Sequence, residues 1–181
     1  ATLPKSFWLY AASSGLVAFG FADYSLIAYH FAQSHIVSAT TIPILYSVAM
    51  GTSGLGALVF GILFDRFGFK ILPPAILCAV VATPLAFLGN HALAIAGAAM
   101  WGVALGAQNS ILTAGVALLV PESIRARAFG TFSAIFGIAW FAGSALMGTL
   151  YDVSLTALVA ASVFAEFAAL IPFALALRAS R

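Results

Sequence analysis

Long apolar runs separated by short polar breaks are the main pattern along this chain of 181 residues. Runs such as 75–88 and 92–105 do not alternate apolar with polar residues, as the strands of a membrane β-barrel would. A transmembrane helix needs about 20 apolar residues, so the chain accommodates about six. The pattern predicts an all-α, polytopic membrane bundle of six transmembrane helices at residues 6–31, 39–64, 71–88, 92–120, 128–150 and 155–177, each bound being approximate.

The composition supports a membrane protein and excludes other classes. Hydrophobic residues make up 64% and charged residues 7% of the chain, whereas a soluble domain carries roughly 25% charged residues. A net charge of +2 is too small for a nucleic-acid-binding surface, and the single cysteine, Cys78, excludes a disulfide framework. The lipid bilayer is therefore the first expected partner, and the plasma (inner) membrane is the expected location.

The basic residues predict the orientation of the bundle. With six spans, every Lys and Arg falls on one side. These residues are Lys5, Arg66, Lys70, Arg125, Arg127, Arg178 and Arg181. Cytoplasmic loops are enriched in Lys and Arg, so both termini and the loops between spans 2 and 3 and spans 4 and 5 are expected in the cytoplasm.

An internal repeat divides the chain. Segments 56–65 and 143–152 both read Gly-x4-Gly-x-Leu-aromatic-Asp, at an offset of 87 residues. The first segment ends a span on the cytoplasmic side and the second ends one outside. We interpret residues 1–181 as one transmembrane domain made of a 3+3 inverted repeat, at about 6–90 and 91–178, as in many secondary transporters.

The loop between spans 2 and 3 carries a family resemblance. Residues 61–70 read Gly-Ile-Leu-Phe-Asp-Arg-Phe-Gly-Phe-Lys. They resemble the cytoplasmic signature of the major facilitator superfamily, roughly Gly-x-Leu-x-Asp-Arg-x-Gly-Arg-Lys, except that Phe69 replaces a basic residue. The 4–5 loop also looks like its counterpart in that family. The resemblance implies a cytoplasmic gating loop made of Gly61, Asp65, Arg66, Gly68, Lys70, Arg125 and Arg127; otherwise these residues form a solvated, topology-setting loop.

The resemblance also suggests which half of such a transporter this is. Segment 106–109 lacks the arginine that N-terminal halves often carry on the fourth helix, and segment 143–148 lacks the proline of their fifth helix. Both departures favour a six-helix half of the C-terminal type. A second six-helix half, either another copy or a separate N-terminal half, is then the expected protein partner.

Two charged side chains lie within the spans, where charge is costly and commonly functional. Asp23 falls in the outer third of span 1, which the resemblance makes a cavity-lining helix, so cavity or proton-coupling roles are expected; the alternative is a carboxylate wetted at the outer rim. Glu166 lies in the middle of span 6, a peripheral helix in the family. It is expected to be protonated, to pair within the bundle or to contact a partner.

Span 4 supplies two amides. Gln108 is assigned to the cavity, while Asn109 shares a face of small residues with Gly102 and Gly106 and is assigned to helix packing. Trp140 and Tyr46 either line the cavity or fill the bundle. No cluster of His, Cys and carboxylates has metal-ligand spacing, so neither a metal nor a cofactor is expected.

These patterns lead to one function and one rival. The chain is expected to be half of a secondary active transporter that moves a small solute by alternating access, with proton coupling as an option. The rival is a transporter-like scaffold or assembly subunit that transports nothing. An enzyme is not expected: segment 51–54 matches the Gly-x-Ser-Gly of rhomboid-type proteases, but all three histidines lie in or beside the outer loops, away from Ser53.

Overall fold

A computed structural model describes residues 2–179 of the chain, so Arg181, used above for the orientation, lies outside the described residues. The described chain is helical throughout. The helices are α1 (Lys5–Gly20), α2 (Tyr24–Ser34), α3 (Thr41–Phe67), α4 (Leu72–Leu88), α5 (His91–Leu119), α6 (Arg125–Val153), α7 (Leu155–Ala168) and α8 (Leu170–Ala179), with 3-10 turns at Gly68–Ile71 and Glu122–Ile124.

Five helical stretches of the described chain are long and apolar enough to cross a membrane. They are Lys5–Ser34, Thr41–Leu88, His91–Leu119, Glu122–Val153 and Leu155–Ala179. This confirms the prediction of a bundle of long apolar helices. The count differs from the six predicted spans because Thr41–Leu88 is one continuous helical stretch of 48 residues that contains both α3 and α4.

Within that stretch the chain reverses direction. Along α3 and α5, Gly102 faces Ala49 and Gly106 faces Ser53, so these two helices run the same way. Along α4 and α5, Gly97 faces Ala86 whereas Gly115, further along α5, faces Phe69, which precedes α4. Helix α4 therefore runs against α5, and the turn between α3 and α4 accounts for the reversal.

The reversal depends on Gly68. This glycine ends α3 with φ of +60°, and its N–H donates to the carbonyl of Phe64. A positive φ after the last helical residue is accessible to glycine without a steric penalty, which is why helices so often end at one. The glycine of the loop motif thus has a backbone reason for its position.

The remaining helices pack around α1. Helix α1 contacts α6 on one side and α7 and α8 on the other, α5 is flanked by α3 and α4, and α4 contacts α7. Tyr10 is fully buried near the middle of α1, and its hydroxyl donates to the carbonyls of Ile111 (3.3 Å) and Leu112 (3.2 Å). The α1–α5 contact is thereby fixed by a hydrogen bond as well as by packing.

Two of the predicted spans are interrupted. Span 6 breaks between α7 and α8 because Pro172 lacks an N–H and its ring clashes with the carbonyl four residues earlier, where α7 ends. Span 1, predicted as one helix, is instead divided at Phe21, Ala22 and Asp23. The other predicted boundaries lie within about three residues of the observed ones.

Candidate functional site

The break in span 1 forms the centre of the candidate site. Phe21 and Asp23 have extended backbone conformations, and Asp23 stands directly before the first residue of α2. Non-helical backbone at membrane depth is tolerated only where other groups satisfy it. Here Ser162 Oγ donates to the carbonyl of Gly20 (2.6 Å) and Trp101 Nε1 donates to the carbonyl of Ala22 (2.7 Å).

The carboxylate of Asp23 is held by α6. Trp140 Nε1 donates to Oδ1 and Ser144 Oγ donates to Oδ2, so each oxygen accepts a hydrogen bond from a neutral group. Trp140 and Ser144 are four residues apart and therefore share one face of α6. Asp23 is half-buried and lines a pocket of about 290 Å³ together with Ser25, Leu26, Tyr29 and Ser144.

Aromatic rings surround this break. Phe21 stacks on Trp101 with ring centroids 5.4 Å apart and meets Trp140 edge-on at 5.9 Å. Tyr24 lies 5.3 Å from Trp101 and 4.9 Å from Tyr46. Tyr46 and Trp140, which the sequence left between cavity and filler, both belong to this aromatic cluster.

Glu166 lies against the other side of the same break. It is fully buried, and neither carboxylate oxygen has a hydrogen-bond partner. A Cβ built on Gly20 would lie 2.9 Å from Glu166 Cγ, so α1 can approach α7 this closely only because residue 20 is glycine. Of the three options from the sequence, pairing within the bundle is not observed, and full burial leaves no surface for a contact with an outside partner.

A second cavity lies between α5 and α6. It has a volume of about 220 Å³, and its lining residues are Gln108, Asn109, Leu112, Thr113, Phe132, Ser133, Phe136 and Gly137. Gln108 is 2% exposed, and neither its Oε1 nor its Nε2 has a hydrogen-bond partner. Gln108 is therefore buried beside this cavity, with its amide unpaired among the described residues.

The packing assignments on α5 have different outcomes. A Cβ on Gly102 would lie 2.1 Å from the carbonyl oxygen of Ala49, and one on Gly106 would lie 1.9 Å from that of Ser53, so both glycines lie in the α3–α5 contact. The assignment of Asn109 to helix packing is wrong, because this side chain is exposed. After Gly106, the α5 residue that lies against α3 is Ser110, whose Oγ would be 2.9 Å from a Cβ on Gly61. Asn109 instead lines the cavity between α5 and α6.

The residues assigned to a gating loop lie at the ends of α3 to α6. Asp65, Arg66, Lys70 and Arg127 are exposed. The Arg66 guanidinium lies over the ring of Phe67, 5.3 Å from its centroid, and Arg125 Nη2 donates to the carbonyl of Ala117 at 3.4 Å. The described contacts of Arg66 and Arg125 are thus with a ring and with the carboxyl-terminal end of α5, where a cation is favoured by the helix dipole.

Several residues of the site were missed by the sequence reasoning. Ser144, Ser162 and Trp101 supply hydrogen bonds to the break or to Asp23. The spacing of Trp140 and Ser144, four residues apart on a span, was a usable signal for one polar face of α6. Nothing in the sequence pairs Ser162 or Trp101 with span 1.

Comparison with known proteins gives relatives without a stated activity. No family model matches the chain. It is similar to Uncharacterized protein Rv2265 of Mycobacterium tuberculosis and Uncharacterized protein Mb2288 of Mycobacterium bovis, each 36% identical over 169 residues. The match covers 93% of this chain but 41% of each relative, so the chain spans about two fifths of the length of the curated relatives it matches.

Proposed function

We propose that this chain is one six-helix half of a secondary active transporter of the major facilitator type, which moves a small solute by alternating access. In this proposal α1 and α2 form span 1, α3 to α6 form spans 2 to 5, and α7 and α8 form span 6. Both termini of the chain lie on the cytoplasmic side of a plasma (inner) membrane, according to the positions of Lys and Arg.

The packing of the helices is the observation that carries the proposal. Helix α5 lies between α3 and α4, as α1 lies between α6 and the pair α7 and α8, and α4 contacts α7. Exchanging spans 1, 2 and 3 with spans 4, 5 and 6 reproduces this set of contacts. Such an exchange symmetry is what an inverted repeat of three helices requires.

Glycines at the helix contacts follow the same relation. The offset of 87 residues that relates Gly56 to Gly143 also relates Gly15 to Gly102. Gly56 and Gly102 lie in the α3–α5 contact, against Val103 and Ala49, and Gly143 lies against the backbone of Phe19 in the α1–α6 contact. A shared offset for sequence and contacts supports a duplication more strongly than the sequence alone.

The length of the relatives is compatible with this architecture. A protein of which 169 residues are 41% has about 410 residues, so about 240 residues of each relative lie outside the matched part. That is enough chain for a second bundle of this size. In the proposal, a second half of this kind, or a second copy of this chain, covers the cavity face between α5 and α6.

Proton coupling through Asp23 is the mechanistic part of the proposal. Asp23 carries a carboxylate within a span, at a broken helix, beside a pocket that a solute or water can enter. Carboxylates of this kind mark proton relays in transporters. A change in protonation would alter the hydrogen bonds from Trp140 and Ser144, and so would bias how α6 packs on the break.

A scaffold without transport is the second candidate, and one observation favours it. Both oxygens of Asp23 already accept hydrogen bonds, which a purely structural anchor between α2 and α6 would also show. The two functions differ in whether the chain, reconstituted with its second half, takes up any solute when a proton gradient is imposed.

Site-directed labelling tests the six-span topology. In a Cys78→Ala background, a cysteine at Asn90, in the α4–α5 loop, should react with a membrane-impermeant thiol reagent from outside, and one at Ser123, in the α5–α6 loop, should react only after the membrane is opened. Reaction of both from the same side would reject six spans.

Crosslinking tests the second half. Ser133 is exposed beside the α5–α6 cavity, whereas Phe164 is exposed on α7, away from it. A cysteine at Ser133 should crosslink to the second half in native membranes, and a cysteine at Phe164 should not. If neither cysteine variant crosslinks to another chain and the monomeric protein still transports, the half-transporter proposal is rejected.

A further inference from the structure

The side chain of Asp23 does not serve the helix that it precedes. Asp23 stands directly before α2, where an aspartate commonly caps a helix by accepting a backbone N–H two or three residues further on. Its side chain makes no such bond, and the N–H groups of Leu26 and Ile27 donate instead to its backbone carbonyl, at 3.1 and 3.2 Å. The start of α2 therefore does not explain why this position carries a carboxylate.

The negative charge of Asp23 has no counter-charge in the described chain. Trp140 and Ser144, which donate to its two oxygens, are neutral groups, and no described Lys or Arg pairs with it. A carboxylate offers about four lone-pair sites, so about two of them remain open. An unpaired charge within a span is costly. A cation in the pocket that Asp23 lines would offset that cost.

The pocket gives a ligand access to this carboxylate. Asp23 and Ser144 are half-buried, and Ser25 and Tyr29, on the side of the pocket that α2 forms, are exposed. Of the five described residues that line the pocket, Asp23 alone is charged. The Ser25 hydroxyl makes no hydrogen bond within the described chain, so its oxygen can accept one from a ligand.

The rest of the lining favours an organic cation over a metal ion. A metal ion such as Ca²⁺ takes about six to eight oxygen ligands, and no group of three His, Cys, Asp or Glu side chains in the described chain could hold a metal. Leu26 and Tyr29 instead supply apolar surface and an aromatic ring, whose face attracts ammonium groups. The volume, about 290 Å³, lies at the lower limit for drug-sized ligands.

We propose that the Asp23 pocket binds a small organic cation, in which a primary ammonium group is attached to one small apolar group. The ammonium donates to the open lone pairs of Asp23 and to Ser25 Oγ. The apolar group packs on Leu26 and Tyr29. This names the substrate class of the proposed transporter and rests on that function for its role in transport, although binding itself does not.

Three probes of similar size test the charge of the ligand. Benzylammonium is a cation at neutral pH, benzyl alcohol is neutral and benzoate is an anion. The melting temperature of the full chain in a neutral detergent is measured while each probe is titrated. Benzylammonium should raise it, and the other two probes should bind at least about tenfold more weakly, which corresponds to about 1.4 kcal/mol. Equal shifts for all three probes, or no shift with benzylammonium, would overturn the proposal.

Competition with salts separates an organic cation from a metal ion. The benzylammonium titration is repeated in sodium chloride and in potassium chloride at the same ionic strength. Both salts should weaken binding equally, because screening depends on the ionic strength and not on the identity of the ion. Displacement of benzylammonium by one of the two metal ions alone would assign the pocket to that ion and overturn the proposal.

Two variants locate the effect. Asp23→Asn removes the charge and keeps the size, and Ser25→Lys adds a competing cation at an exposed position of the pocket, so the test survives if one of them folds poorly. Each should weaken benzylammonium binding at least about tenfold. Asp152→Asn and Gln33→Lys make the same changes at exposed positions outside the pocket and should leave the titration unchanged. A shift that persists in both pocket variants, or an equal loss in the controls, would reject this site.

Uptake separates this proposal from the proposed function. Radiolabelled benzylammonium is offered to proteoliposomes that contain the chain and its second half, and uptake is counted above that of protein-free liposomes. Binding that depends on Asp23 without uptake keeps the pocket proposal and counts against transport. Proton-driven uptake of another solute without any benzylammonium binding rejects the pocket proposal and leaves the transporter standing.

Discussion

Span 1 and α5 differ in how they carry polar groups through the bundle. Span 1 is interrupted at Phe21, Ala22 and Asp23, whereas α5 runs without a break for 29 residues. The offset of 87 residues aligns Phe21 and Ala22 of the break in the first repeat with Gln108 and Asn109 in the second repeat. One segment thus has backbone carbonyls and a carboxylate at the positions of the repeat where the other has two amide side chains.

The two segments differ in how many hydrogen-bond partners they need from neighbouring helices. At the break, free backbone groups must be satisfied from outside the helix, and Trp101 and Ser162 do this. In α5 the helical backbone satisfies itself, and the buried amide of Gln108 makes no hydrogen bond among the described residues. We infer that the polar groups at the break are coupled to stability, while Gln108 is not.

The largest effect, on proton-driven uptake, is expected from substitution of Asp23. Asp23→Asn removes the charge but keeps the size, and Ser144 can rotate its hydroxyl to suit the amide, so folding should be retained. If Asp23 carries the proton, uptake driven by a pH gradient should be abolished in proteoliposomes. Asp152→Asn, at the exposed carboxyl-terminal end of α6, is the matched control and should transport normally. Unchanged proton-driven uptake in Asp23→Asn would remove the coupling role.

The glycine contacts test whether the two repeats are equivalent. A Cβ at Gly56 would meet the carbonyl oxygen of Val103 at 2.7 Å, and one at Gly143, its counterpart in the second repeat, would meet that of Phe19 at 2.1 Å. Gly56→Ala and Gly143→Ala should each destabilise the chain by about 3 kcal/mol, because backbone atoms must move. Gly54→Ala and Gly148→Ala, where no atom lies within 4 Å, should cost almost nothing in a thermal unfolding assay in detergent. A large loss at only one of the two contacts would break the equivalence.

The sequence predicted the helices better than the site, for a physical reason. Helix ends follow from local signals such as Gly68, Pro172 and the caps Asn90 and Ser154, whose side chains accept from the backbone three residues on. The break in span 1 has no such signal, because Phe21 and Ala22 are apolar and read as helix.

The groups that stabilise the break are distant in sequence. Trp101 lies 79 residues from Ala22, and Ser162 lies 142 residues from Gly20. Asp23 could be singled out from the cost of burying its charge, but its partners Trp140 and Ser144 are 117 and 121 residues away. Only the packing of α1 against α5, α6 and α7 brings these residues together.

A smaller effect, on the free energy of unfolding, is expected from substitution of Trp101. Trp101→Phe keeps the ring contact with Phe21 but leaves the carbonyl of Ala22 without its donor, which should destabilise the chain by about 1–2 kcal/mol. Trp8→Phe, at a position that is 49% exposed, serves as the control in the same thermal unfolding assay. Equal stability of the two variants would mean that the break does not depend on this hydrogen bond.

The smallest effect, and one of opposite sign, is expected at Gln108. Its buried amide has no protein partner, so in the absence of a ligand it contributes a desolvation cost and no hydrogen bond to the fold. Gln108→Leu should therefore leave the free energy of unfolding unchanged or raise it by up to about 1 kcal/mol, with Gln33→Leu as the exposed control. Because Trp101→Phe and Gln108→Leu both remove a polar group from α5, effects of opposite sign would distinguish a polar group that the fold needs from one that it does not need. A loss of more than about 1 kcal/mol in Gln108→Leu would show that the amide supports α5 after all, and the contrast between the two segments would then not hold.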